Sequence, residues 1–467
     1  MLFNSLHFLL FLPIVVGLYY LLPQKFRWIL IFIASCYFYM VFVPKYILIL
    51  FLIIVIDYFA ALTIEKVNGR LKLFYLIASL TANIGLLAFF KYFNFLNENI
   101  TTLFSLFGKD IHPINLSVIL PIGLSFHTFQ SMSYTIEVFK GRQKAERHLG
   151  YFANYVLFFP QMVAGPIERY ETLGTGLKTE HKPIYQNFAD GFRLILFGLF
   201  IKMAVADNIA PYVNQIYAEP LKYNSLRILS GMFLFSFQIY ADFFGYSTIA
   251  LGSARLLGIN IMDNFKTPYL SKSVSEFWSR WHISLSTWFR DYLYIPLGGN
   301  RVKLPRWSLN ILIVFLISGL WHGASWTFVA WGALHGLMLL LERFFSKLFN
   351  FGIKEGWTLI NVLLVLKTFI ITSFIWVFFR AESFEKVKEI FTALLTNNQA
   401  VEKINVVIPL VFVAVMIFFD ILLYNSRFDK KLATFKTPYR WAFYTVILFC
   451  LMALSGTQKF TFIYFQF

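Results

Sequence analysis

The chain has 467 residues, of which 58% are hydrophobic, 20% aromatic and only 14% charged, and its mean hydropathy is +0.65. A water-soluble protein of this length would leave too much apolar surface in solvent, which excludes a soluble globular fold and predicts an all-α polytopic membrane protein. The net charge of +17 does not point to nucleic acid, because the basic residues gather in short loops between apolar spans, as the positive-inside bias predicts.

The first span begins at the N-terminus, MLFNSLHFLLFLPIVVGLYYLLPQKFR. It lacks a basic flank and a small-residue cleavage site, so it reads as a retained span and not a cleaved signal peptide. Further spans are predicted over 28–42, 46–62 and 73–90. The loops carrying Lys25 and Arg27, then Lys66, Arg70 and Lys72, place the N-terminus outside if both face the cytoplasm. Residues 91–117, with Lys109, Asp110 and His112, form a polar, extracytoplasmic interruption in which FNFLNENITTLFSLFG fits an interfacial amphipathic helix.

The fifth apolar stretch, 118–138, carries Ser125, His127, Thr128, Gln130, Ser131 and Ser133. Polar groups at that depth face protein or a water-filled cavity, so His127 is either a pocket residue or an interhelical hydrogen-bonding group. Pro160 and Gly165-Pro166 break the next segment, which lines a cavity rather than crossing regularly. In the span over 188–205, Lys202 and Asp207 read as snorkelling or loop groups. The run 228–257 holds Gln238, Tyr240, Asp242, Tyr246, Ser247 and Thr248 in an apolar frame. Asp242 needs a partner there, with Lys202 and Arg255 the candidates; cavity lining and structural hydrogen bonding are both open for the patch. Spans over 359–379, 408–423 and 441–454 and an amphipathic helix over 381–395 complete the chain.

Cys36 and Cys450 both lie in apolar segments and form neither a disulfide framework nor a metal set. No metal-ligand spacing, phosphate-binding loop or dinucleotide fingerprint occurs. With no dividing linker and no repeat, residues 1–467 are expected to form one integral-membrane domain.

Residues 276–336 are the centre of the chain. They hold three of the eight histidines, His282, His322 and His335, the last two within otherwise membrane-buried sequence. An intramembrane ionisable group is costly and is a functional candidate by default. Taken as one helix, the start of this stretch puts Trp278, Trp281, His282, Leu285, Trp288, Phe289 and Tyr292 on one face. That face fits an interfacial anchor with a packed histidine, or a re-entrant segment lining a protein cavity. His322 lies between Gly319 and Gly323, a spacing that lets a neighbouring backbone approach closely, with Trp321 and Trp326 as bulk around the notch. A histidine bonded to a carbonyl of the next helix is the bland alternative. His335, between Gly332 and Gly336, would face another way on a continuous helix and is expected to be structural.

The runs SEFWSRWHISLSTWFRDYLYIPLGGNR and SGLWHGASWTFVAWGALHG resemble the membrane-bound O-acyltransferase (MBOAT) family. The branch is that of the bacterial alginate O-acetylation (AlgI-like) proteins, with the D-alanyl-transfer (DltB-like) proteins as relatives. FNSLHFLLFLP, LFFPQMVAGPIERY and QIYADFFGYSTIALGSARLLG carry the likeness along nearly the whole chain. The resemblance implies a bundle of roughly 10–12 spans, with re-entrant or interfacial helices, around a central tunnel. It implies catalytic roles for His322, matching the family's near-invariant histidine, and for His282, at its second catalytic position.

Acyl transfer from a thioester to a hydroxyl needs a proton acceptor, and imidazole suits it. His322 would act as general base or as transient nucleophile, and His282 would orient or polarise donor or acceptor. Trp278, Trp281, Trp321 and Trp326 would exclude water, a competing acyl acceptor. No GxSxG elbow supports a serine hydrolase. The resemblance further implies no permanently bound cofactor or metal and a cytoplasmic donor, acetyl-CoA or a carrier-protein thioester. It implies an extracytoplasmic SGNH-type partner, a polysaccharide acceptor, and a place in the bacterial inner membrane. Two rivals stand beside acetyl transfer. One is D-alanyl transfer to a cell-wall polymer; the other is a transporter, in which Asp242 and His127 would serve coupling.

Overall fold

The computed structural model describes all residues except 110–115, 117–119, 164, 349–355, 357, 398–401, 403, 425, 456–461 and 464–467. Asp110 and His112 therefore lie outside the described residues. The described elements are helical, and they fall into two compact units, residues 1–192 with 250–262 and residues 193–249 with 263–467. Eight helical runs among the described residues are long and apolar enough to cross a bilayer, with two shorter apolar helices, Leu6–Leu21 and Val407–Leu422. With these two the described residues hold ten apolar helical runs, the lower end of the expected ten to twelve.

The first unit contains α1 (Leu6–Leu21), α2 (Gln24–Met40), α3 (Ile47–Lys66), α4 (Gly69–Leu87), α5 (Phe93–Leu106), α6 (Leu124–Phe139), α7 (Leu149–Leu157) and α8 (Thr175–Lys178). A fully buried carboxylate, Asp57 on α3, ties three helices together. It accepts from Ser79 Oγ at 2.5 Å and Asn83 Nδ2 at 2.9 Å, both on α4, and from Ser131 Oγ on α6. Polar residues of the predicted fifth span thus serve interhelical bonding. Burying a carboxylate without donors would be prohibitive, so these residues fix how the three helices meet.

The amphipathic helix expected within the polar stretch after residue 90 is present as α5. A π-turn, Ala88–Tyr92, joins α4 to α5, making one run from Gly69 to Leu106. Its polar side chains bond back to their own helix: Asn99 Nδ2 to the Phe95 carbonyl at 2.6 Å and Thr102 Oγ1 to that of Glu98 at 2.8 Å. Their polarity therefore does not break the helix.

The break at Pro160 is present. Beyond α7 the chain is irregular, yet its polar groups are engaged: Phe159 N–H donates to Ser35 Oγ at 3.1 Å and Tyr155 O–H to the Glu168 carbonyl at 2.9 Å. The buried Glu168 carboxylate accepts Met262 N–H at 2.6 Å. Glu168 lies outside the spans, and burial pushes its pKa up to about 7.

The remaining helices are α9 (Tyr185–Leu199), α10 (Asp207–Ala218), α11 (Ser225–Leu256), α12 (Val274–Arg280), α13 (Ile283–Phe289), α14 (Leu304–His322), α15 (Trp326–Leu348), α16 (Leu359–Arg380), α17 (Phe384–Thr396), α18 (Val407–Leu422), α19 (Phe428–Ala433) and α20 (Thr437–Leu454). A π-turn, Phe200–Ala206, links α9 to α10 and carries Lys202 inward. Lys202 does not snorkel. It is 1% exposed, with Nζ 2.5 Å from Asp242 and 2.7 Å from Asp207. The partner of Asp242 is therefore Lys202; Arg255 instead bonds Asn260 at 2.5 Å and faces Asp190.

The tightest packing joins α14 and α15, connected by only Gly323, Ala324 and Ser325. A Cβ on Gly319 would collide with the Phe328 carbonyl, and one on Gly332 with the Phe315 carbonyl. The glycine spacing read from sequence does bring two backbones together.

Candidate active site

His322 is the last residue of α14, at the apex of this hairpin, and is 6% exposed. Helix α14 cannot continue past it, because a three-residue connection must reverse the chain. Three aromatic rings meet the imidazole nearly edge to face: Trp321 at 4.9 Å, Trp331 at 5.0 Å and Phe379 of α16 at 5.3 Å between centroids. Trp331 packs on Trp376, which packs on Trp281 at 5.0 Å, so the aromatic wall extends from α15 through α16 to the end of α12.

The single helix expected around His282 does not form. Helix α12 ends at Arg280, and His282 takes a left-handed conformation, φ 44° and ψ 54°, as the residue before α13. A non-glycine residue there is strained and persists only where its surroundings enforce it. The loop 264–267 does so: Lys266 N–H donates to the Arg280 carbonyl and Ile283 N–H to the Asn264 carbonyl, both at 3.0 Å, one on each side of His282. Thr267, at φ 46°, is the other described non-glycine residue with positive φ. At its start α12 is held by Glu342 of α15, whose carboxylate accepts Val274 N–H at 2.9 Å.

The His282 ring is 1% exposed. Phe243 of α11 stands perpendicular to it at 4.8 Å, and Trp321 lies at 6.2 Å, so Trp321 touches both His282 and His322. Burial drives the pKa of His282 down to about 3, keeping the imidazole neutral. Below it runs a buried polar chain: Ser284 Oγ lies 3.5 Å from Nδ1 and donates to Asn264 Oδ1 at 2.6 Å, and Asn264 Nδ2 donates to Ser247 Oγ at 3.2 Å.

The other predicted site residues divide. Trp281 and Trp321 are buried in the aromatic wall and Trp278 is half-buried, with Nε1 3.4 Å from His335 Nδ1. Trp326 is 54% exposed at the first position of α15, outside the aromatic wall. Tyr240 is fully buried and donates to Asp420 Oδ1 of α18 at 2.8 Å; Asp242 belongs to the Lys202 cluster. Both tie helices together. His127 belongs to the first unit and bonds the Val156 carbonyl through Nδ1 at 2.8 Å. The expected helical offset of His335 does not apply, because the chain turns between α14 and α15; His335 packs on Trp331 at 5.0 Å, which also touches His322.

Sequence reasoning missed Phe243, Asn264, Ser284, Trp331, Trp376 and Phe379. The aromatic residues carried no signal beyond the 20% aromatic content of the whole chain. Asn264 and Ser284 carried none beyond being polar in apolar surroundings. Among the described residues no group of three or more His, Cys, Asp or Glu side chains could hold a metal ion.

Two buried imidazoles, His322 at the turn of the α14–α15 hairpin and His282 between α12 and α13, thus lie against one tryptophan in surroundings that exclude water. The chain belongs to the MBOAT, membrane-bound O-acyltransferase family, whose model matches residues 72–381 and so includes both histidines. It is similar to the probable alginate O-acetylase AlgI of Pseudomonas aeruginosa, 36% identical over 400 residues covering 85% of this chain and 75% of the relative. It is similar also to the peptidoglycan O-acetyltransferase of Helicobacter pylori, 36% identical over 393 residues covering 78% and 73%. The teichoic acid D-alanyltransferase of Streptococcus thermophilus is more distant, 31% identical over 238 residues covering 47% and 56%. The protein is an O-acetyltransferase of this family.

Proposed function

We propose that the chain takes an acetyl group from a cytoplasmic thioester, acetyl-CoA, and passes it across the inner membrane for O-acetylation of an extracytoplasmic polysaccharide, alginate or peptidoglycan by analogy with its relatives. The observation that carries the catalytic assignment is His322 itself, at the apex of a glycine-packed hairpin and walled by Trp321, Trp331 and Phe379. In this reading the acceptor hydroxyl gives its proton to the His322 imidazole as its oxygen bonds to the acetyl carbonyl carbon. The carbon–sulfur bond then breaks, and the thiolate leaves and takes up the proton. His282, neutral and rigid, orients the donor carbonyl or the acceptor. The aromatic wall keeps water from the thioester.

An SGNH-type extracytoplasmic partner is the proposed recipient that completes transfer to the polymer. The basic loops after α1, α3 and α6 support a cytoplasmic donor side and an N-terminus outside. D-alanyl transfer has less support, because the D-alanyltransferase likeness covers under half of this chain. The transporter reading yields to family membership.

The test is acetyl-ester content of the extracellular glycan in cells carrying the chain or His322→Ala at matched membrane abundance. Loss of the ester with His322→Ala, expected at 10²-fold or more for a general base, supports the proposal. An unchanged ester content in a folded variant overturns it.

A further inference from the structure

His282 can carry its proton on either ring nitrogen, and the polar chain beneath it selects one. Ser284 N–H lies 3.4 Å from one oxygen position of the Asn264 amide, and a backbone N–H can only donate. That atom is therefore Oδ1, and Asn264 Nδ2 is left to donate to Ser247 Oγ of α11 at 3.2 Å. With the amide so oriented, the Ser284 hydroxyl must donate to Asn264 Oδ1 at 2.6 Å. Its proton is committed there, so toward His282 the Ser284 oxygen presents only lone pairs. The ring nitrogen facing it, Nδ1 at 3.5 Å, must bring the proton. The same Asn264 also accepts Ile283 N–H through its main-chain carbonyl at 3.0 Å, directly after the left-handed His282. Asn264, Ser284 and Ser247 are all buried.

We infer that Asn264 and Ser284 are positioning residues for His282, holding it in the Nδ1–H tautomer so that Nε2 is the nitrogen presented to the reacting group. The inference rests on the proposed role of His282 in acyl transfer. The charged neighbours in sequence do not compete for the ring: Asp263 faces Arg427 at 3.5 Å, and Arg280 pairs with Glu276 at 2.9 Å. The rings of Phe243 and Trp321 pack against it from other helices. A hydrogen bond to one imidazole nitrogen sets the tautomer, and the wrong tautomer can cost up to about 10⁴-fold in a catalytic histidine.

The test uses the full-length protein in liposomes, labelled with ¹⁵N-histidine, with the His282 signals assigned by difference against His282→Asn. The expected wild-type spectrum shows a neutral His282 protonated at Nδ1. Ser284→Ala is expected to give a mixture of tautomers and to lower glycan acetylation in cells at least about tenfold. Asn264→Asp, which keeps an acceptor for Ser284, is expected to retain the Nδ1–H signature and guards against a variant that merely misfolds. A wild-type His282 protonated at Nε2, or a Ser284→Ala protein with tautomer and ester content unchanged, overturns the inference. If His282→Ala leaves ester content unchanged, the catalytic reading of His282 fails, and this inference fails with it whatever the spectrum shows.

Discussion

Lys202→Met is the substitution whose cost follows most directly from the structure. The ammonium is 1% exposed and lies 2.5 Å from Asp242 and 2.7 Å from Asp207, whose side chains are 4% and 11% exposed. At an effective dielectric of about 20, each pair attracts by roughly 6 kcal/mol. Desolvation of three charges offsets most of that sum, so the triad itself adds little net stability. Removing the cation is another matter: it leaves two carboxylates facing each other in a dry place, a loss of about 3–5 kcal/mol. The triple variant Lys202→Met, Asp207→Asn, Asp242→Asn removes the charges together. It keeps an amide oxygen for Ile463 N–H, which Asp242 Oδ2 accepts at 2.7 Å, and is expected to recover most of the loss. Thermal unfolding in detergent, followed by size-exclusion chromatography with intrinsic tryptophan fluorescence, should show Lys202→Met melting roughly 3–5 °C lower and the triple variant within about 1 °C of wild type. Activity should follow stability, since Asp242 adjoins Phe243, which stands against His282. A Lys202→Met protein as stable as wild type, or a triple variant as unstable as the single, would refute the reasoning.

Two further outcomes follow from packing and from linkage. Gly332→Ala places a methyl group against the Phe315 carbonyl and should cost about 1–3 kcal/mol and reduce acetylation by displacing His322, whereas Gly85→Ala, with nothing within 4 Å, should leave melting and ester content unchanged. Glu168 has a folded pKa raised from 4.5 to about 7 by burial, so its contribution is fully present below pH about 4.5 and is lost as pH rises through about 7. Glu168→Gln should therefore flatten the decline in stability across that window, by an amount on the order of a few kcal/mol, read as melting temperature against pH.

The span pattern, the break at Pro160 and the close approach at Gly319 and Gly332 were legible in sequence because each depends on local chemistry: run length, a missing N–H, a missing Cβ. The geometry of His282 was not. Nothing between Glu276 and Tyr292 breaks a helix by propensity, and the aromatic stripe at helical spacing points to one continuous element. The break is imposed from loop 264–267, through hydrogen bonds to residues on both sides of His282. Such a tertiary override leaves no periodic trace. Lys202 is legible only in part: the sequence offers it as a partner of Asp242, which the structure bears out, while a lysine near the end of an apolar run also reads as snorkelling. Trp326 shows the converse, since its place beside the notch in sequence did not bury it once the chain turned.

The two histidines are thus held by different means. His322 depends on a local device, the glycine-packed hairpin, whose short connection fixes the apex wherever α14 and α15 meet. His282 depends on a long-range one, the Asn264 loop, which must be in place before the left-handed turn is tolerable. They converge on Trp321, which lies against both imidazoles. Indole supplies bulk there and one N–H donor, and it offers no lone pair to compete for a proton on either ring. A water molecule in the same space would both accept protons and attack a thioester. Filling it with an aromatic ring therefore serves orientation and exclusion together, which explains why tryptophan and phenylalanine surround two otherwise costly imidazoles.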